Sequence, residues 1–317
     1  AASDVYKRQG YIMTWRSLLI SKGGKLSLHQ QQMLIQQEGN EFSVPLEDIA
    51  IVVVESRETV ITLPLLSAFG LYGITLLSCD EQFLPCGQWL PFNQYYRQLK
   101  TLKLQLETSL PLKKQLWQRI VQQKIRNQAK VLSLCHHQEK SERLLQLANL
   151  VKSGDKDNLE AQSAVIYFSG LFGAHFRRKE EDNAINIHLN YAYTVIRSAV
   201  ARSLVLYGWL PQLGLFHHSE LNAFNLADDF IEPFRPLVDL LVWNLLEKGL
   251  LSQNLSPLSK QQLIKILHHQ LRFNQEKVSV LTAIDKTIAS LQIALIQKNA
   301  TLLQLPEIDA LQELSLI

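Results

Sequence analysis

The spacing of polar and apolar residues changes once along this chain. Before about residue 90 it favours a period of two. Lys25-Leu-Ser-Leu-His29 alternates, and Ile49-Ala-Ile-Val-Val-Val54 is a short, mostly β-branched apolar run, both patterns of strands. Glu38-Gly-Asn-Glu41 reads as a turn, and Gly23-Gly24 and Gly39-Asn40 supply the residues that hairpins need. The stretch from Leu65 to Leu71 fits a short helix laid across the sheet. These signals predict a small β domain over residues 13–90.

Leu84-Pro-Cys-Gly-Gln-Trp-Leu-Pro91 then interrupts the pattern with two prolines and a glycine. Beyond it apolar residues recur three or four apart: Leu99, Leu102 and Leu106; Leu116, Ile120 and Val121; Leu281, Ile284, Ile288, Leu291 and Leu295. That is helical spacing, so residues 91–317 are predicted to form a helical bundle, with a loop from Ser252 to Lys260 around Pro257. The fold class expected is α+β, a small N-terminal β domain followed by a larger all-helical one. Residues 1–12 lack the apolar stretch of a secretory signal and precede Met13; they read as a non-native leader.

Composition narrows the function. With 317 residues and 47% apolar content, the chain can bury a real core. Cys79, Cys86 and Cys135 give neither a disulfide framework nor a zinc site, which fits a reducing cytoplasm. The apolar run over residues 60–77 is nearly long enough for a bilayer, but Thr62, Pro64, Ser67, Gly70, Gly73 and Thr75 break it, so no membrane is expected. Phosphate-binding and dinucleotide glycine fingerprints are absent.

The net charge of +3 hides a concentration. Between Arg97 and Lys130 stand nine basic residues and one acid, Glu107, which leaves the rest of the chain at minus five. Solvated helices usually interleave both signs; this one-sided run suits a DNA backbone, with Lys113, Lys114, Arg119, Lys124 and Arg126 as candidate contacts. Arg177, Arg178 and Arg197, with Arg202, are further candidates, and Tyr95, Tyr96 and Trp117 are candidates for stacking on bases.

Four residues carry the candidate chemistry. Glu160, in Asp157-Asn-Leu-Glu160, reads equally as the return half of a capping box from Asp157 or as a carboxylate aimed at an apolar interface, where it needs a partner. His217 belongs to one of three His-His pairs, so pairing is no evidence, but Gly208, Pro211 and Gly214 put it in or just after a loop ahead of an acidic segment. Asp229 and Glu232, three apart, would share a helical face, while Glu232 is equally placed to pair with Arg235. One imidazole and two or three carboxylates form a hard donor set that suits Mg²⁺ or Mn²⁺.

The stretch Gly214-Leu-Phe-His217-His-Ser-Glu220, with Asn225-Leu-Ala-Asp-Asp229-Phe-Ile-Glu232-Pro-Phe-Arg235-Pro236, resembles the active-site signature of the CRISPR-associated integrase that captures new spacers. Asn183-Ala-Ile-Asn and Leu189-Asn-Tyr-Ala-Tyr193 resemble its helical core, and Trp15-Arg-Ser-Leu-Leu-Ile and Pro45-Leu-Glu-Asp-Ile-Ala50 the opening of its type II members, most like subtype II-C. The resemblance implies a metal-dependent endonuclease and integrase that joins 3′-hydroxyl ends of captured DNA to a repeat. Glu160, His217 and Glu232 match its ligands for Mg²⁺ or Mn²⁺, with Asp229 beside them. It further implies double-stranded DNA fragments and the repeat with its leader as partners, a homodimer through the β domains, and a heterohexamer with the small second adaptation protein. Cooperation with the RNA-guided effector nuclease is implied as well.

Overall fold

The structure, a computed structural model, describes residues 16–91, 95, 97–180 and 183–311. The expected leader, Met13, Trp15 and Tyr96 lie outside the described residues. The first region contains β1 (Arg16–Ile20), β2 (Gly24–His29), β3 (Gln32–Gln37), β4 (Asn40–Pro45), β5 (Ile49–Val54), β6 (Thr59–Ile61), α1 (Leu63–Tyr72), β7 (Thr75–Cys79) and β8 (Pro85–Trp89). They make two four-stranded sheets, ordered β1-β5-β7-β8 and β4-β3-β2-β6.

The turns differ from expectation in an instructive way. Gly39 does turn β3 into β4, at φ +78°. Gly23-Gly24, however, makes no hairpin, because β1 and β2 belong to different sheets. A side chain at Gly24 would lie 2.3 Å from the Gln36 carbonyl, so the glycine is there for close backbone approach. The hairpin between β2 and β3 turns instead on Gln30 and Gln31, both at positive φ (45° and 62°). That is the backbone of a two-residue hairpin turn with neither glycine nor asparagine to announce it.

All of β5 is buried. Ile49, Val52 and Val54 join a core with α1 and the second sheet, whereas Ala50, Ile51 and Val53 face the helices. Strict alternation slips once, where Arg16 and Ser17 of β1 pair with Ile49 and Ile51 and skip Ala50. A bulge there turns the strand's phase.

The second region contains α2 (Gln98–Glu107), α3 (Leu110–Leu134), α4 (Gln138–Leu150), α5 (Leu159–Leu171), α6 (Ala184–Leu206), α7 (Asn225–Ile231), α8 (Arg235–Glu247), α9 (Pro257–Lys265) and α10 (Val280–Ile296). A short hairpin, β9 (Gln270–Phe273) with β10 (Glu276–Ser279), precedes α10. Pro257 begins α9 rather than sitting in a loop, and the Ser256 side chain accepts the Ser259 amide as its cap. Among the described residues no helix is long and apolar enough to cross a membrane.

One apolar stripe runs against prediction. Leu99 and Leu106 of α2 are exposed, and the helix buries Thr101 and Gln105 instead. Gln105 donates to the Leu210 and Leu213 carbonyls (2.9 and 2.7 Å) and accepts from the Leu210 amide (3.2 Å). A glutamine that satisfies three backbone groups anchors the loop leading to His217, and that is why α2 docks through its polar side.

Candidate active site

Three elements bring the candidate residues together. The first is the start of α5. Asp155 and Asn158 adopt left-handed backbone just before it, and the Asp155 carboxylate accepts the amides of Leu159 and Glu160 (2.9 and 3.0 Å). Asp155, not Asp157, therefore caps this helix, and Glu160 does not fold back as a capping box. Its side chain is free to point across to α3, where Lys124 Nζ lies 2.5 Å from Oε1.

The second is the break between α7 and α8. Glu232 follows α7 in helical backbone, and Pro233 and Phe234 separate it from α8. Asn127 of α3 donates to the Pro233 carbonyl (2.7 Å) and fixes the turn. The Glu232 carboxylate, 6% exposed, meets Lys124 Nζ at 2.5 Å and Arg235 Nε at 3.1 Å. Burial works to raise the Glu232 carboxyl, but Arg235 and Lys124 outweigh it and hold its pKa below the usual range. Burial likewise opposes the Lys124 charge, and Glu232 with Glu160 more than restores it, so this pKa is raised.

The third is the loop before α7. Asp229 is fully buried and accepts the amides of Leu215 (2.5 Å), Phe216 (3.2 Å) and His217 (3.1 Å), and also His217 Nδ1 (2.8 Å). The loop wraps this closely only because residue 214 is glycine. A Cβ there would stand 2.2 Å from the His217 carbonyl and 2.9 Å from Asp229 Oδ2. Below the loop the Phe216 ring stacks on Trp117 (4.2 Å, 2° between planes), with the His217 imidazole edge-on to both. The Asp229 hydrogen bond raises the His217 pKa, and burial opposes it. With Nδ1 committed to Asp229, Nε2 is the nitrogen left for a ligand.

Asp229 and Glu232 thus serve different partners. The two carboxylates that converge are Glu160 and Glu232, whose Lys124-contacting oxygens are no more than about 5 Å apart, given the two 2.5 Å contacts. A divalent ion at about 2.1 Å from each would need them no more than about 4 Å apart. Glu232 Oε2 is also a buried acceptor without an aligned donor: the Lys124 ammonium touches it by distance but not in hydrogen-bond direction. Hard oxygen donors and a free imidazole nitrogen on a tautomer-fixing aspartate therefore fit Mg²⁺ or Mn²⁺. Among the described residues no three acidic, histidine or cysteine side chains are disposed to hold a metal as they stand, and the ammonium of Lys124 occupies the point where the carboxylates meet.

Lys124 is the residue that charge counting misplaced. It is 9% exposed, on the buried stripe of α3 with Trp117, Ile120 and Gln128, rather than on a solvated face. The signal was available: a lysine four residues after Ile120 and seven after Trp117 lies on the apolar side and needs an anion there. Several other basic candidates are engaged within the chain. Arg119 donates to the Leu303 carbonyl (3.1 Å), Arg177 to the carbonyls of Ala174 and Phe176, and Arg178 to Asn186 and Asn190 while covering the Tyr193 ring. Arg197 covers Phe224 and lies 4.0 Å from Asp228. Arg202 is buried and donates to the Gly73 carbonyl. Trp117, also buried, serves the His217 loop, and the Tyr95 hydroxyl accepts from Gln292. Lys114, Arg126 and Lys130 are exposed and Lys113 half-buried.

Residues 18–266 match the family described as CRISPR associated protein Cas1. The chain is 60% identical to the CRISPR-associated endonuclease Cas1 of Neisseria meningitidis serogroup C (strain 8013) over 301 residues, 95% of this chain and 99% of that one. The chain belongs to the Cas1 family. A more distant Cas1 endonuclease, from Saccharolobus solfataricus, is 27% identical over 74% of this chain and 76% of its own. The Cas1 fold is shared with a Cas1 protein from Thermotoga maritima (TM-score 0.71, 17% identity, 89% of this chain and 97% of that one). A casposase bound to integration product has it too (TM-score 0.74, 18% identity, 90% and 91%). The resemblance read from the sequence stands, and with it the function expected: a Cas1 endonuclease and integrase of CRISPR adaptation.

Proposed function

We propose that this Cas1-family chain performs its phosphodiester chemistry with Mg²⁺ or Mn²⁺ held by Glu160, Glu232 and His217 Nε2, and joins the 3′-hydroxyl of a captured DNA fragment to a repeat strand. The observation that carries the reading is the convergence of Glu160 and Glu232, from positions far apart in the chain, on one cation within about 2.5 Å of each. When bound, the metal would polarise the scissile phosphate and offset charge on the entering and leaving oxygens. The chain's own residues do the rest. Asp229 holds the His217 ring in one tautomer and orientation. Arg235 keeps Glu232 ionised in a buried place. Asn127 fixes the turn that presents it. In the transfer, a new P–O bond forms from the fragment's 3′-oxygen and the repeat's own P–O3′ bond breaks, leaving a free 3′-hydroxyl. With water as the nucleophile the same site hydrolyses a strand.

The partners follow the same reading. Solved neighbours of like fold include a Cas6-RT-Cas1–Cas2 complex (TM-score 0.72, 18% identity, 92% of this chain and 36% of that one). A Cas2-like small protein, double-stranded fragments, the repeat and its leader are the partners proposed, with a homodimer through the first region, a heterohexamer around the small protein, cooperation with the RNA-guided effector nuclease, and a cytoplasmic location. The half-buried Lys113 and the exposed Lys114 and Arg126 of α3 are proposed DNA contacts; Arg119, Arg126, Arg177, Arg178 and Arg197 would need to exchange an internal partner for a phosphate.

A second reading, a DNA-binding scaffold whose acids only neutralise Lys124 and Arg235, draws on those same ion pairs. Strand transfer separates the two. Glu160→Ala and His217→Ala are expected to lose Mn²⁺-dependent joining of a 3′-hydroxyl duplex to repeat DNA while duplex binding stays within about twofold. Joining that survives either change, or that proceeds undiminished in chelator, would remove these residues and the metal from the chemistry, and duplex binding by wild type with no joining at all would leave the scaffold reading. Products from RNA and none from DNA would move the enzyme to another pathway.

A further inference from the structure

We infer that Lys124 is a resident counter-cation that holds the metal's place between Glu160 and Glu232 and must withdraw for the metal to bind, and that a DNA phosphate receives it. This rests on the reading that Glu160 and Glu232 are metal ligands. Three observations carry it. Lys124 Nζ lies 2.5 Å from an oxygen of each carboxylate, so the ammonium and a divalent ion cannot both occupy the gap. Its hold on Glu160 is an aligned hydrogen bond, but its approach to Glu232 Oε2 lacks hydrogen-bond direction, as expected of a point charge standing between two anions. The quartet Glu160, Glu232, Lys124 and Arg235 is already neutral, so a metal added alone brings two uncompensated charges into a largely buried site.

The lysine is suited to moving. Its charge sits on a flexible four-carbon stem and needs no planar partner, unlike Arg235. Once displaced it needs an anion, and the phosphates of a bound duplex are the chemistry at hand. Metal and DNA should therefore strengthen one another reciprocally, each supplying the charge the other's arrival unbalances. Lys124 is thus a positioning residue whose partner changes during loading.

The test measures Mn²⁺ binding, by the electron paramagnetic resonance signal of free Mn²⁺ and by calorimetry, for the full chain with and without a short duplex. Without DNA, Lys124→Met is expected to bind Mn²⁺ at least about tenfold more tightly than wild type, within the usual range of coupling between sites, and to gain less when duplex is added. In chelator the variant should melt below wild type, and Mn²⁺ should raise its melting temperature by more than it raises wild type's. Lys124→Arg, which keeps the charge, should show no gain in affinity. Equal or weaker Mn²⁺ binding by Lys124→Met would overturn the proposal. Should that variant not fold in chelator, wild type alone decides: Mn²⁺ affinity unmoved by duplex defeats the idea. If wild type and variant both bind no Mn²⁺ in either condition, the metal reading itself falls, and this inference with it.

Discussion

The two halves of the candidate site are neutralised in opposite ways. On the carboxylate side, Glu160 and Glu232 come with cations built in, Lys124 and Arg235. On the imidazole side, His217 comes with an anion built in, Asp229, which is itself stabilised by three backbone amides. The first half is held by ion pairs from separate helices and the second by a loop wound around one buried acid. A donor set assembled this way is stable before any ligand arrives, and each half should respond differently when its built-in partner is removed.

The largest effect is expected on the carboxylate side. Glu232→Ala takes the carboxylate from Arg235 and leaves Lys124 with Glu160 alone, and denaturant unfolding should show a loss of about 3 kcal/mol, the lower end for breaking a buried pair, since Lys124 keeps one partner and Arg235 keeps a third of its side chain in solvent. A loss under about 1 kcal/mol would mean that the pairs are slack and that the two halves do not differ in this way. On the imidazole side, Asp229→Ala should weaken Mn²⁺ binding by about 10- to 100-fold, the usual consequence of removing a ligand's orienting partner. Unchanged affinity would show that the loop holds His217 without it.

Acidity sharpens the comparison. Because Asp229 raises the His217 pKa, the stability this pair contributes is full below the ordinary histidine range and fades as pH rises through the raised value. Metal binding runs the other way, since only the neutral ring can ligate: Mn²⁺ affinity should climb with pH through that same raised value. Asp229→Asn should move the midpoint downward, and a midpoint that stays put would assign the titration to another group. The smallest effect concerns the basic residues of α3 that reach solvent. Reversing Lys113, Lys114 and Arg126 should lower the logarithmic salt slope of duplex binding by about 0.9 for each phosphate no longer neutralised, whereas an unaltered slope would place the DNA elsewhere.

Much of this arrangement was legible in the chain, and the failures share a cause. Apolar spacing marked β2, β5, α3 and α10 and the change from strands to helices near residue 90, because burial of one face leaves its trace in sequence. The turn at Gln30 and Gln31 left none, since its backbone is imposed by the strands it joins rather than chosen by its residues. The α2 stripe misled because that helix docks through Gln105, a hydrogen-bonding anchor that apolar spacing cannot register. Glu160, His217, Asp229 and Glu232 could be singled out by type and motif, yet their pairing could not. Which acid meets which cation depends on how α3 and α5 are placed, and charge counting along a helix ignores its rotation. Lys124 and the buried Arg202 looked like their exposed neighbours for that reason.

The strand β5 belongs to two interiors at once, with Ile49, Val52 and Val54 facing one and Ala50, Ile51 and Val53 the other. Severing the chain near residue 90, where its pattern changes, would strip water-shy side chains of their cover and leave a sticky plank rather than a free-standing module. Heat should likewise find no seam to open first, so both interiors should disappear in a single calorimetric step.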